Sequence, residues 1–330
     1  MKNLFDYATK ELSQDAFLRW LIENYNCECE EVCEQSKKLL SAFSGVDNLD
    51  SENISELKTY AQWKKIDVLI HYKYEGKLYC IAVEDKVFSE EHNNQLQNYN
   101  KKLNDCADWW KNQYKCEDYI IKKIYYKPTK LSEDEKGRVK EAGWDIFDID
   151  KITNIFHENI SSSSEILNGY RKHIAGISDA LNTIQKPTTN ENNIDYIKWQ
   201  SYFEKRICPG LSQNGYKVGV WKAGQYPYIC LVVKKDGFLE NSPYLEVRSR
   251  DCLADNFVAR ILLYGVERDT EKFDTLKENI KNYTSFTCQN YKKQIGESPS
   301  GLKAETDEKF IALVEQYAKE FLTVMKDWHL

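Results

Sequence analysis

Apolar positions near the start of the chain recur at three- and four-residue steps. Leu12, Phe17, Leu18 and Leu21 form one stripe, with Ser13 placed to cap and Asp15 in the first turn, so an amphipathic helix is expected. A second helix is expected around Leu39, Leu40 and Phe43, ending at Ser44-Gly45. The period then changes. Ile66 to Tyr74 and Lys77 to Val87 are rich in β-branched and aromatic residues, and Glu75-Gly76 between them fits a tight hairpin turn. Ser89 is placed to cap a polar helix through Gln95, Leu96 and Tyr99. Strand patterns return at Tyr119 to Tyr126 and Trp144 to Ile149, around a charged helix from Ser132 to Ala142. This order predicts an α/β unit: a mixed central sheet flanked by helices.

A helix containing Ile166, Leu167, Ile174 and Leu181 follows, and Gln185 to Asn193 reads as a linker through its proline, threonines and asparagines. Beyond it, strands are expected at Tyr216 to Lys222, Tyr226 to Lys234 and Tyr244 to Arg248, and helices at Phe273 to Tyr283 and Phe310 to Trp328. The expected domains are therefore 1–184, a linker at 185–193, and a C-terminal α+β accessory domain at 194–330.

Strand alternation gives the first region its chemistry. Asp67, Leu69 and His71 share one face of their strand, and Cys80, Ala82, Glu84 and Lys86 share one face of the next. A two-residue turn at Glu75-Gly76 pairs Tyr74 with Lys77 and, by counting outward, sets Asp67 opposite Glu84. Like charges at that spacing destabilise a sheet unless something offsets them. A divalent cation does so, and Mg²⁺ or Mn²⁺ suits a pair of carboxylates completed by water and phosphate oxygens. Lys86 is placed to orient water or to stabilise phosphate charge. An ion pair between Glu84 and Lys86 at the sheet end is the alternative reading. Acid-x-Lys triplets also occur at Asp134 to Lys136 and Asp307 to Lys309, but only Glu84-Asp85-Lys86 ends an apolar strand.

These residues resemble the PD-(D/E)XK nuclease superfamily, in particular its bacterial members of uncharacterised role. The resemblance rests on Ile66-Asp67-Val68-Leu69-Ile70, Ala82-Val83-Glu84-Asp85-Lys86-Val87, the run from Glu91 to Tyr99, and the opening Glu11 to Leu21. It covers about Phe5 to Ile149. A proline commonly precedes the family aspartate, whereas Ile66 stands here. The resemblance implies a restriction-endonuclease-like core with Asp67 and Glu84 as metal ligands and Lys86 as the catalytic lysine. It further implies Glu11 as a supporting acid from the first helix and Gln95 as a helix residue facing the site. The expected activity is metal-dependent hydrolysis of phosphodiester bonds in DNA, with RNA as an alternative substrate and an inactive, nuclease-like binding module as the other alternative. A role in defence against phage is a further expectation from the resemblance.

Composition narrows the picture in a few respects. A formal charge of −6 argues against coating nucleic acid by bulk electrostatics, yet Lys101 to Lys140 carries eleven Lys or Arg against seven Asp or Glu. No apolar run is long enough for a membrane span and the start lacks a secretion signal, so a cytoplasmic protein with no membrane partner is expected. The ten scattered cysteines are expected as thiols. His71 and His92 are expected to be structural, and Trp109-Trp110 and Tyr125-Tyr126 divide between core packing and base stacking. The C-terminal domain is the expected surface for a protein partner or a second copy of the chain.

Overall fold

The computed structural model describes residues 5, 11–87, 89, 94–156, 162–188, 193–213, 216–223, 228–235, 244–249, 257–262, 270–288, 294–298 and 306–324. The chain divides into two compact units, Met1–Asp179 and Ala180–Leu330.

The first unit is a mixed five-stranded sheet between two helical layers. Its elements are α1 (Glu11–Glu23), α2 (Glu30–Ser44), β1 (Ile54–Trp63), β2 (Ile66–Tyr74), β3 (Lys77–Asp85), α3 (Gln95–Asp105), α4 (Ala107–Tyr114), β4 (Tyr119–Tyr126), α5 (Glu133–Glu141), β5 (Asp145–Phe147), α6 (Ile149–Ile155) and α7 (Glu165–Leu181). The strands lie in the order β1-β2-β3-β4-β5. The first three are antiparallel, and β3, β4 and β5 are parallel. This is the helix-flanked mixed sheet of a restriction-endonuclease-like core.

Alternation along the strands sorts side chains between the two layers. Leu69, Cys80, Ala82 and Tyr125 join Leu96, Tyr99 and Leu103 of α3, Trp110 and Tyr114 of α4, and Val139 of α5 in one apolar cluster. On the other face, Phe43 of α2 meets Tyr126 edge-on, with ring centroids 6.2 Å apart. Tyr170 of α7 stacks on Phe17 of α1 at 3.7 Å between ring centroids.

Two hairpin turns set the register. Glu75 and Gly76 have φ of 49° and 76°, the backbone sign of a type I′ turn, and the β2–β3 ladder pairs Tyr74 with Lys77 through to Val68 with Val83. Between β1 and β2 the turn is Lys64-Lys65, with φ of 49° and 75°, closed by Trp63 opposite Ile66. Glycine occupies that backbone region freely, whereas each lysine there costs roughly 1–2 kcal/mol.

Three expectations need correction. The helix is already running at Glu11, so Ser13 lies inside it rather than capping it. Helix α3 begins at Gln95 after Asn94, so Ser89 is not its cap. Strand pattern at Trp144 to Ile149 resolves into the short β5 and then α6, whose N-cap Asp148 accepts a hydrogen bond from the Lys151 amide. Strand β1 was not expected, because most of its residues on both faces are exposed or half-buried and no apolar alternation marks it.

The second unit contains α8 (Asn193–Tyr202), a π-helical turn at Phe203–Ile207, α9 (Cys208–Gln213), β6 (Tyr216–Ala223), β7 (Tyr228–Lys235), β8 (Tyr244–Ser249), β9 (Phe257–Leu262), α10 (Thr270–Tyr283), β10 (Thr287–Cys288), β11 (Gln294–Glu297) and α11 (Asp307–Val324). Its strands form an antiparallel sheet in the order β10-β11-β9-β8-β7-β6. Trp199, Phe203, Phe257 and Phe310 pack ring against ring within it. The ends of the expected strand at 226–234 and helix at 310–328, namely 226–227 and 325–328, lie outside the described residues. Among the described residues, no helix is long and apolar enough to cross a membrane.

Candidate active site

The register of the two hairpins draws one row of side chains across the sheet. The β1–β2 ladder sets Gln62 on one side of Asp67, between the pairs Ala61–Val68 and Trp63–Ile66, and extending the β2–β3 ladder by one residue sets Glu84 on the other. Asp67 is half-buried and held at both oxygens. Gln62 Nε2 donates to Oδ1 at 2.8 Å, and the Asp85 backbone amide donates to Oδ2 at 2.9 Å.

Glu84 is fully buried. Its Oε1 receives Lys86 Nζ at 2.6 Å and Gln95 Nε2 at 2.7 Å. Its Oε2, equally buried, has no hydrogen-bond donor. Burial first, and then the Asp67 carboxylate, push the Glu84 carboxyl up to about 8 against the lowering pull of Lys86. Lys86 is itself buried to within 8 % of full exclusion, and its backbone amide donates to Tyr126 O at 3.0 Å, continuing the parallel ladder past the end of β3.

Helix α3 supports the site from the layer above. Gln95 Nε2 also donates to Tyr99 OH at 2.7 Å, and Tyr99 OH donates to the Lys65 carbonyl at 2.5 Å. Asp67, Glu84, Lys86 and Gln95 are thus brought together at one end of β2 and β3. Glu11 opens α1, and its side chain lies outside the described residues.

The contact that α1 does make was not read from the sequence. Gln14 Nε2 donates to Asp85 Oδ1, and Tyr170 OH donates to Gln14 Oε1 at 3.4 Å, while Tyr170 and Tyr126 share a hydroxyl contact of 2.8 Å. Asp85 is fully buried on the face opposite Glu84. The signal was present: alternation sends Asp85 to the face of Ile81 and Val83, where a carboxylate requires a polar partner from the covering helix. What the pattern lacked was the identity of that helix.

His71 sits among Tyr60, Trp110, Tyr114 and Tyr119, and burial pushes its imidazole down to about 3. It is remote in character from proton transfer near neutrality. His92 lies outside the described residues, as do Glu91 and Asn93.

The donor set fits a hard cation. Two carboxylates converge, one carries a buried oxygen with no donor, and repulsion between them favours an offsetting positive charge. Among the described residues, no group of three or more His, Cys, Asp or Glu side chains could hold a metal ion. Asp67 and Glu84 would supply two carboxylate ligands, and the remaining positions would fall to water and phosphate oxygens, as Mg²⁺ commonly accepts.

The family model described as the PD-(D/E)XK nuclease superfamily matches residues 2–175. No curated protein and no solved structure matches the chain. Members of that superfamily typically use divalent metal ions. With over half its length under this model, and with Asp67, Glu84 and Lys86 gathered at one end of β2 and β3 in a helix-flanked mixed sheet, the chain belongs to the PD-(D/E)XK nuclease superfamily.

Proposed function

We propose that the first unit hydrolyses phosphodiester bonds in DNA, with Mg²⁺ or Mn²⁺ held by Asp67 and Glu84. The observation that carries the reading is the incomplete solvation of Glu84: a buried carboxylate with one saturated oxygen, one bare oxygen and a second acid beside it. When bound there, the cation would supply Lewis-acid polarisation of the phosphoryl group and acidification of water.

The chain's own groups divide the remaining work. Gln62 and the Asp85 amide fix the direction of the Asp67 carboxylate. Gln95 holds Glu84 Oε1 while leaving Oε2 available as a ligand. The Lys86 ammonium is positioned to orient the attacking water by hydrogen bonding or to stabilise charge accumulating on the phosphate oxygens. In this arrangement the 2.6 Å contact between Lys86 and Glu84 is the resting position of the amine. The same contact also favours a second reading, a binding module whose lysine permanently fills the place of the cation. The second unit then serves as an accessory module for a substrate or protein partner.

Cleavage assays separate these readings. Purified protein is incubated with single-stranded and duplex DNA and with RNA, in Mg²⁺, Mn²⁺ or EDTA, beside Lys86→Ala. DNA is cleaved by the wild type only with a divalent ion, and the variant loses roughly 10²–10³ in rate, the scale for removing one charge-stabilising donor. Equal cleavage by Lys86→Ala removes the assignment, and RNA as the preferred substrate changes its class.

A further inference from the structure

The turn between β1 and β2 is tied to both acids of the site. Gln62 bonds Asp67 on one side, and the chain Glu84–Gln95–Tyr99 ends on the Lys65 carbonyl on the other. Helix α3 aligns Gln95, Tyr99, Lys102 and Cys106 along one side by their four-, three- and four-residue spacing. Lys102 Nζ donates to the Lys64 carbonyl at 2.7 Å, and Lys64 Nζ lies 2.9 Å from Cys106 Sγ. From Gln95 to Lys102 the helix rises by about 10 Å, within reach of neighbouring phosphates on one strand.

At this well-anchored turn the backbone adopts a conformation that lysine disfavours. Lys64 and Lys65 have φ of 49° and 75°, in the two positions where asparagine and glycine are preferred. In the neighbouring hairpin the second of these positions is Gly76. Retaining two lysines there points to a use for their charges. Both are exposed, and Lys64, Lys65 and Lys102 form no ion pair among the described residues. The acid nearest Lys64 and Lys65 along the chain is Asp67 of the site, which Gln62 and the Asp85 amide hold, and those following Lys102 are Asp105 and Asp108, the latter paired with Lys111 at 3.8 Å.

An exposed indole lies beside these charges. Trp110 is buried against Tyr60 and Trp63 at the end of β1, with ring centroids at 5.6 and 5.8 Å. Trp109 rests on Trp110 at 4.4 Å and is 57 % exposed. Its ring is a platform for a base face, which an intact duplex does not present and an unpaired nucleotide does.

We propose that Lys64, Lys65 and Lys102 grip the phosphates of a nucleic-acid strand next to the cleavage site, and that Trp109 stacks an unpaired base of that strand. The preferred substrate is accordingly a single strand or a frayed end. This rests on the nuclease reading above, and its test uses binding, which is measured separately from cleavage.

Fluorescein-labelled oligothymidylate and its duplex with oligoadenylate are titrated by anisotropy in Ca²⁺, beside a cleavage assay in Mg²⁺. The key variant is Lys64→Asn/Lys65→Gly, which removes both charges and installs the favoured turn residues, so that folding is preserved or improved. The single strand binds the wild type more tightly than the duplex. The variant melts no lower than the wild type yet binds at least about ten-fold more weakly, and its log–log salt slope is shallower by about 1.4, for two lost single-strand phosphate contacts. Trp109→Ala weakens single-strand binding about ten-fold with an unchanged salt slope.

Wild-type cleavage combined with undiminished binding by the Asn-Gly variant overturns the grip and leaves the nuclease reading standing. Equal affinity for duplex and single strand, or no effect of Trp109→Ala, overturns the unpaired-base preference. Absence of both binding and cleavage in the wild type overturns the grip together with the nuclease reading.

Discussion

Lys127–Glu135 and Lys86–Glu84 are both buried lysine–glutamate pairs, with the lysine just past the end of β4 in one and of β3 in the other. Lys127 Nζ lies 2.8 Å from each Glu135 oxygen and donates to Ser89 O at 2.9 Å, so all three of its protons have acceptors. Glu135 Oε1 also receives Tyr125 OH at 2.6 Å. Glu84 receives two donors on one oxygen and none on the other, and it faces Asp67. The first pair is a closed structural unit that pins the segment after β3. The second pair is left open, and that difference separates a structural ion pair from a site able to accept another charge.

The largest effect expected of this difference concerns stability. Lys127→Met strands Glu135 in the core and lowers the unfolding free energy by about 3–5 kcal/mol, read from urea denaturation followed in the first unit. Combining it with Glu135→Leu restores much of the loss. A single variant as stable as the wild type would mean that the Lys127 pair is not closed in the way described.

A second effect, spread over several pH units, sharpens the contrast through pH. The folded-state carboxyl of Glu84 titrates at about 8, above its ordinary value of 4.5. The fold therefore holds a proton that the unfolded chain releases. This contribution is fully present below about 4.5 and is lost as pH rises through about 8, at no more than ~1.4 kcal/mol per pH unit. In EDTA, Glu84→Gln flattens this part of the stability profile. An unchanged profile in the variant would place the titration elsewhere.

The sequence made one half of the open pair legible and concealed its supports. Period-two alternation and the Glu75-Gly76 turn suffice to align Asp67 with Glu84, because register in a hairpin is a local property. Of Trp109, Trp110, Tyr125 and Tyr126, expected to divide between core packing and base stacking, the structure buries all but Trp109. Strand β1 stayed hidden because an edge strand whose residues are mostly exposed or half-buried carries little hydrophobic pattern, and its register shifts between Ser55 and Lys58. Contacts such as Gln14 with Asp85 and Lys127 with Glu135 join separate elements, and no local period reports them. The lysines of the β1–β2 turn were unremarkable by composition, since their significance lies in their φ angles.

Calorimetric melting of the first unit, in EDTA and then in saturating Mn²⁺, tests the open pair most directly. At a free ion concentration a hundred-fold above the dissociation constant, binding adds about 2.7 kcal/mol to wild-type stability. The account predicts that the transition midpoint rises for the wild type and stays put for Glu84→Gln and Asp67→Asn. Equal rises in all three proteins would contradict it.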